Sequence, residues 1–215
     1  MAELKHKEFA IVVLATIAGD QISPTWLRRK KLISDEEAEK ANIMTRTQEL
    51  SAFNVGSINF LINQQRVQLS TEDLGNVLPM FDICESIFRI LSSVLIRSAG
   101  FNTSAHYSVK NVDEWHRIGH KMAPKENWNA ILKNPGLLTV RMQGQREDGR
   151  DGMKVVIVEP STKLAPGVFI HINDHINING EVGADDGVTS MLELMAAMKR
   201  DIIANSKELE EQVLA

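Results

Sequence analysis

Four of the six histidines fall into two pairs, each spaced four residues apart: His116 with His120, and His171 with His175. On a helix, Asp113, His116 and His120 lie within roughly 60° of arc, so a carboxylate and two imidazoles reach one point. That donor set is one a divalent metal accepts. A structural reading competes with it. Trp115, Ile118 and Met122 define the buried face of the same helix. Both imidazoles would then sit at its border, with the ring packed and one nitrogen in water.

The second pair lies in Val168-Phe169-Ile170-His171-Ile172-Asn173-Asp174-His175-Ile176-Asn177-Ile178. In an extended chain, alternation sends the valine and isoleucines to one face and Phe169, His171, Asn173, His175 and Asn177 to the other. Asp174 interrupts the apolar face, where a carboxylate must be hydrogen-bonded, paired with a cation, or released by a bulge or turn. His171, Asp174 and His175 are the catalytic candidates, because imidazoles and a carboxylate in a cleft can carry protons. A solvated sheet face, or an Asn-Asp turn splitting the strand, is the alternative. His6 and His106 stand apart from both pairs.

Other chemistries lack their residues. The chain has no phosphate-cradling glycine loop and no Gly-x-Ser-x-Gly elbow. Its lone cysteine, Cys84, sits in an apolar helical pattern and can form neither an intramolecular disulfide nor a zinc-binding pair. No cofactor is expected beyond a divalent metal at the histidine sets.

The elements that must position these groups follow from periodicity. The apolar run Phe9 to Ala18 is half the length of a bilayer span and lacks a clean cleavage site after it, so it reads as a strand buried on both faces in the middle of a sheet. Residues 20–48 form a charged, irregular insertion, with a short helix over Ser34 to Asn42 whose Ser34-x-x-Glu37 makes a capping box. Glu49 to Ser70 alternates as a hairpin or meander, with Phe53, Val55, Ser57, Asn59 and Leu61 on one parity.

Phe81, Cys84, Phe88, Leu91 and Leu95 mark a helix with Pro79 in its first turn, and Leu95 to Val109 is a strand. Asn111 to about Leu132 is helical but broken at Pro124 into two short helices. Leu137 to Gln145 and Met153 to Glu159 make a hairpin around Asp148-Gly149 and Asp151-Gly152, followed by the Val168 to Ile178 strand. Residues 185–215 form a closing helix roughly 40 Å long, with Met191, Met195, Met198, Ile202, Leu209 and Val213 on one stripe.

This order predicts a single α+β domain over residues 1–215. It has an antiparallel or mixed sheet, helices mainly on one face and a long C-terminal helix, and its two halves are similar enough to allow a pseudo-duplication. A chain of 215 residues with 43% hydrophobic content can bury one such core. A net charge of −4 and a pI near 5.9 disfavour a polyanion as the main partner. The composition is that of a soluble, cytoplasmic protein with no membrane partner.

Val67-Gln68-Leu69-Ser70, Ile87-Phe88, Gly100-Phe101-Asn102, Glu114-Trp115-His116-Arg117-Ile118-Gly119-His120 with Ala123-Pro124-Lys125, and Val168 to His175 together resemble a group of uncharacterised microbial proteins of unknown function. The resemblance covers about residues 63–178. It implies that the two histidine segments belong to one recurring design, and it carries no activity with it.

Read together, these features favour a non-enzymatic protein-binding or assembly protein that meets another protein, or a second copy of itself, through its sheet and long C-terminal helix. The partner-facing candidates are Trp26, Arg28, Arg29, Met191, Met195, Met198, Ile202 and Leu209, since methionines adapt to irregular partners. The first alternative is a metal-assisted hydrolase using the His116/His120 and His171/Asp174/His175 clusters. The second is nucleic-acid contact through the basic block Trp26 to Lys31.

Overall fold

The apolar run near the N-terminus lies in β1 (Glu3–Ala15), the central strand of a nine-stranded sheet. The computed structural model describes residues 2–178 and 184–215, with the side chains of 184–186, 201, 204, 205 and 209 outside that description. β1 begins earlier than its apolar residues do, because its charged start pairs with the end of the neighbouring strand, from Glu3 opposite Ser108 onward.

Only one face of β1 is fully buried. Phe9, Ile11, Val13 and Ala15 are enclosed, whereas Val12 and Leu14 on the other face are half-buried. The two-sided burial expected of this strand gives way to the one-sided pattern that antiparallel sheets permit.

The charged stretch after β1 is more ordered than its composition suggests. Helix α1 (Pro24–Arg29) starts at Ser23, whose hydroxyl accepts from the Trp26 amide at 3.2 Å, and Pro24 occupies the first helical turn. Helix α2 (Asp35–Glu39) carries the predicted capping box in full, with Glu37 reaching back to the Ser34 amide. Strand β2 (Asn42–Arg46) then forms one edge of the sheet.

A meander follows in β3 (Leu50–Val55), β4 (Ile58–Asn63) and β5 (Arg66–Thr71). The turn at Gly56-Ser57, with Gly56 at φ +56°, resets the parity. Inward positions pass from Phe53 and Val55 to Ile58, Phe60 and Ile62, so the single alternation read through Asn59 and Leu61 does not hold across the turn. Phe53 and Phe60 stack at 4.7 Å.

Helix α3 (Val77–Ile90) buries Phe81, Cys84, Ile87 and Phe88, and that burial pushes the Cys84 thiol pKa upward. Strand β6 (Ile96–Ser108) pairs with β1 along its whole length. Helix α4 (Val112–Met122) is capped by Asn111 and stops before Pro124; only a 3-10 turn, Glu126–Trp128, forms where a second helix was expected.

Strands β7 (Val140–Gln145), β8 (Gly152–Pro160) and β9 (Gly167–Asn177) complete the sheet, and α5 (Ala184–Leu214) closes the chain over 31 residues, about 46 Å at the usual rise. At the β7–β8 connection Gly149 takes φ +72° and Gly152 φ +153°. A Cβ on Gly152 would fall 2.1 Å from the His175 carbonyl oxygen.

The spatial order is β2-β3-β4-β5-β1-β6-β9-β8-β7, and every neighbouring pair is antiparallel. The larger core cluster joins Phe9, Ile11, Phe81, Phe101 and Ile176 to Trp26, Leu27, Met191, Met195, Met198 and Ile202. The smaller cluster joins Ala105, Tyr107, Val168 and Ile170 to Ile118 of α4 and Val213 of α5. The methionine stripe read as partner-facing is thus placed against the chain's own sheet, because a helix beside a large sheet gains most by burying its apolar face there. Among the described residues, no helix is long and apolar enough to cross a membrane.

Candidate functional site

The register of β9 decides what the histidine row meets. Paired with β6 on one side and β8 on the other, it sets His171 opposite Ser104 and Ile157, Asn173 opposite Asn102 and Val155, and His175 opposite Gly100 and Met153. His171, Asn173 and His175 share one face with Ser98, Gly100, Asn102 and Ser104 of β6. Glu8, Ala10, Val12 and Leu14 of β1 and Arg66 and Gln68 of β5 extend that face. Together these side chains line a recess of about 410 Å³.

Hydrogen bonds tie the row into the sheet. His171 Nδ1 shares one with Ser104 Oγ at 2.9 Å, and Asn173 Nδ2 donates to Asn102 Oδ1. His175 Nε2 meets Asn177 Oδ1 at 3.1 Å, and Asn177 Nδ2 donates to Asp151 Oδ2 at 3.1 Å. Burial lowers the His171 pKa below the ordinary imidazole value; Arg141 adds to this, and Glu8 and Glu159 oppose it. The Arg66 Nε is buried without a partner while its Nη2 donates to Gln68.

Gly100 gives the recess its depth. A Cβ there would meet Asn102, Asn173 and the Val12 carbonyl only at 3.8 to 3.9 Å, so the backbone accepts a side chain without strain.

Two further histidines join this face. The His6 and His106 ring centroids lie 6.3 Å apart, His106 and Phe169 4.7 Å, and Phe169 and His171 6.2 Å, a ladder of rings across β1, β6 and β9. His106 Nδ1 also meets Ser161 Oγ at 2.9 Å, and burial, with Lys163 and His6, lowers its pKa against the opposing Glu72. Sequence spacing missed His6 because a register shift between Leu4 and His6 brings it opposite His106.

Asp174 points the other way. It is buried on the core face, where Arg146 pairs with it and Lys154 lies 3.8 Å from its second oxygen. A cation is the outcome the apolar face required, and it separates Asp174 from His171 and His175. The other pair is separate too. α4 buries Ile118 against Ala105, Tyr107 and Ile170, on the face away from Ser104 and His171. Asp113, His116 and His120 are exposed, and the two imidazoles border an open depression with Lys125, Glu126 and Asn129. Among the described residues, no group of three or more His, Cys, Asp or Glu side chains could hold a metal ion.

The remaining candidates divide by exposure. Trp26 is buried, as are Met191, Met195, Met198 and Ile202, whereas Arg28 and Arg29 are exposed, with Arg28 Nε 3.7 Å from Asp35. The Leu209 side chain lies outside the described residues.

No protein-family model matches the chain, and no curated protein matches it.

Proposed function

We propose that this chain is a non-enzymatic binding protein that holds another polypeptide, or a second copy of itself, against the polar face of its sheet, with α5 bracing that sheet from behind. The observation that carries this reading is the recess lined by Arg66, Gln68, Gly100, Asn102, Ser104, His171, Asn173 and His175. Its amides, hydroxyls and imidazoles supply both donors and acceptors, the match for peptide groups and polar side chains. The charged groups around it, Glu8 and Glu159 against Arg66 and Arg141, balance in number, which disfavours a polyanion. A second support is the exposed apolar run through Trp128, Ile131, Leu138 and Met142, which leads into the edge strand β7.

We take the chain as one domain, since one sheet runs through both core clusters. We also take its helices as lying on one face and its halves as duplicated. Each half has a long strand, a helical segment, a meander whose last strand pairs with that long strand, and a helix, with β1 and β6 meeting as the two long strands. A cytoplasmic setting fits the buried free thiol of Cys84.

Histidine footprinting tests the binding face. With diethyl pyrocarbonate as the label, a bound partner, or self-association at high concentration, protects His6 and His175 and leaves His116 and His120 reactive. Protection of His116 and His120 instead, with His6 and His175 unchanged, contradicts the reading.

A further inference from the structure

We propose that the loop joining β8 to β9, residues 161–166, is an acid-released strap: protonation of His106 takes the Ser161 oxygen away from the loop's own amides and frees the middle of the loop while the sheet stays folded. The two ends of the loop are fixed, the Ser161 amide donating to the Gly167 carbonyl at 2.9 Å and the Val109 amide to the Pro166 carbonyl at 3.2 Å. Between them the chain leans on one hydroxyl. Ser161 Oγ accepts from the Lys163 amide at 3.2 Å and from the Leu164 amide at 3.0 Å. Lys163 also reaches past β6 and β1 to Glu72, just after β5, but that pair is exposed at 3.6 Å and adds little.

Counting donors and acceptors fixes the state of His106. A hydroxyl has one proton and two lone pairs, and both lone pairs of Ser161 are taken by the two amides. Its proton therefore lies on the 2.9 Å contact, and His106 Nδ1 accepts it. The neutral ring then carries its own hydrogen on Nε2. A second proton on the ring turns Nδ1 into a donor aimed at an oxygen with no free lone pair. His106 is 8% exposed, so its charged donor needs that oxygen, whereas the amides of the loop can turn to water. The amides yield, and the turn at Lys163 and Leu164 opens.

The charges around the ring favour the same movement. Lys163 on the loop and His6 on β1, its ring centroid 6.3 Å away, repel an imidazolium, and Glu72 opposes them. Displacing the loop carries Lys163 away. Along the same face Glu8 of β1 lies opposite Ser104, Glu159 of β8 opposite Phe169, and His171 of β9 beyond Phe169. Glu3, opposite Ser108, is neutralised by Lys5 at 2.6 Å. Burial outweighs these charges, so the ring takes its second proton below the ordinary imidazole range. The strap is therefore closed at neutral pH and opens in mild acid.

The test follows the isotope-labelled full chain by NMR from pH 7.5 to 5.0. At pH 7.5 the ring nitrogen shifts of His106 should show a neutral imidazole protonated on Nε2. As pH falls, the exchange protection of the Lys163 and Leu164 amides, corrected for the intrinsic rate, should drop about fivefold or more with the midpoint of the His106 titration, and by more than that of Phe101 and Ile172 in the sheet. His106→Asn, which keeps an acceptor near Nδ1 and does not titrate, should hold the protection constant. Ser161→Ala, on the half-buried loop, should lose it at every pH, and it carries the test alone if His106→Asn does not fold. The proposal is overturned if His106 is protonated on Nδ1 at pH 7.5, or if the two amides keep their protection or follow the sheet residues or the His6 titration instead. It is equally overturned if either variant shows the wild-type drop.

Discussion

Arg146 holds Asp174 on the buried face of the sheet, opposite the face that carries His171 and His175. Both side chains are less than a tenth exposed, and Arg146 also grips Asp148 at 2.7 Å. One loop arginine thus satisfies the carboxylate that interrupts the apolar side of β9 and takes it out of reach of the imidazole row.

Removing that arginine should be costly. Arg146→Ala leaves Asp174 buried with only Lys154 nearby, and the expected loss is about 3 kcal/mol of folding free energy, the low end for breaking a buried pair. Urea denaturation measures it. Asp174→Asn, which removes the charge and keeps the shape, should cost less, and a loss under about 1 kcal/mol for Arg146→Ala would show that the pair is not buried in solution.

The methionine stripe gives a second prediction. Met195 is 1% exposed within the main core, so Met195→Ala should lower stability by about 2 to 5 kcal/mol. A residue facing only a partner would leave the stability of the isolated chain within about 0.5 kcal/mol.

The histidines predict a pH dependence with a definite sign. His106 and His171 both have pKa values lowered in the folded chain, chiefly by burial. The folded state therefore binds fewer protons than the unfolded one, and the stability present above the unfolded value of about 6.5 is lost as pH falls through the lower folded values. Imidazole resonances followed by NMR should titrate below about 6.5 for these two residues, and denaturant midpoints should fall between pH 7 and 5. A midpoint rising over that interval would contradict the burial of both rings.

Asp148 adds an acid limb to the same curve. Arg146, and then the Arg150 amide, hold its pKa down to about 2, so its share of stability is present above the unfolded value and is lost as pH falls through about 2. Arg146→Ala should raise the Asp148 titration toward the ordinary aspartate range, with the Arg150 amide still holding part of the shift, and an unchanged Asp148 would contradict the Arg146 contact.

Much of this was legible in the residues. The Ser34 capping box, the β7–β8 hairpin and the polar row of β9 follow from local pattern, because each depends on neighbours in sequence; the central position of β1 agrees with the expectation, although the two-sided burial it was read from does not hold. The site as a whole was not. Arg66, Gln68 and His6 reach the recess or its ring ladder through pairings between strands far apart in the chain, and the register shift at Leu4 and His6 leaves no mark in composition. The methionine stripe misled for a related reason. Periodicity identifies an apolar face but not which surface covers it, and here the covering surface is Phe101 and Ile176 of the same sheet.

Gly100→Arg tests the central claim most directly. The site accepts a side chain without backbone strain, so the variant should keep the wild-type melting temperature while its guanidinium fills the recess. Measured by the dissociation constant for the partner, or for self-association, the account predicts a weakening of about thirtyfold or more, the scale of losing a central contact. A Gly100→Arg chain that folds normally and binds as tightly as the wild type would contradict it.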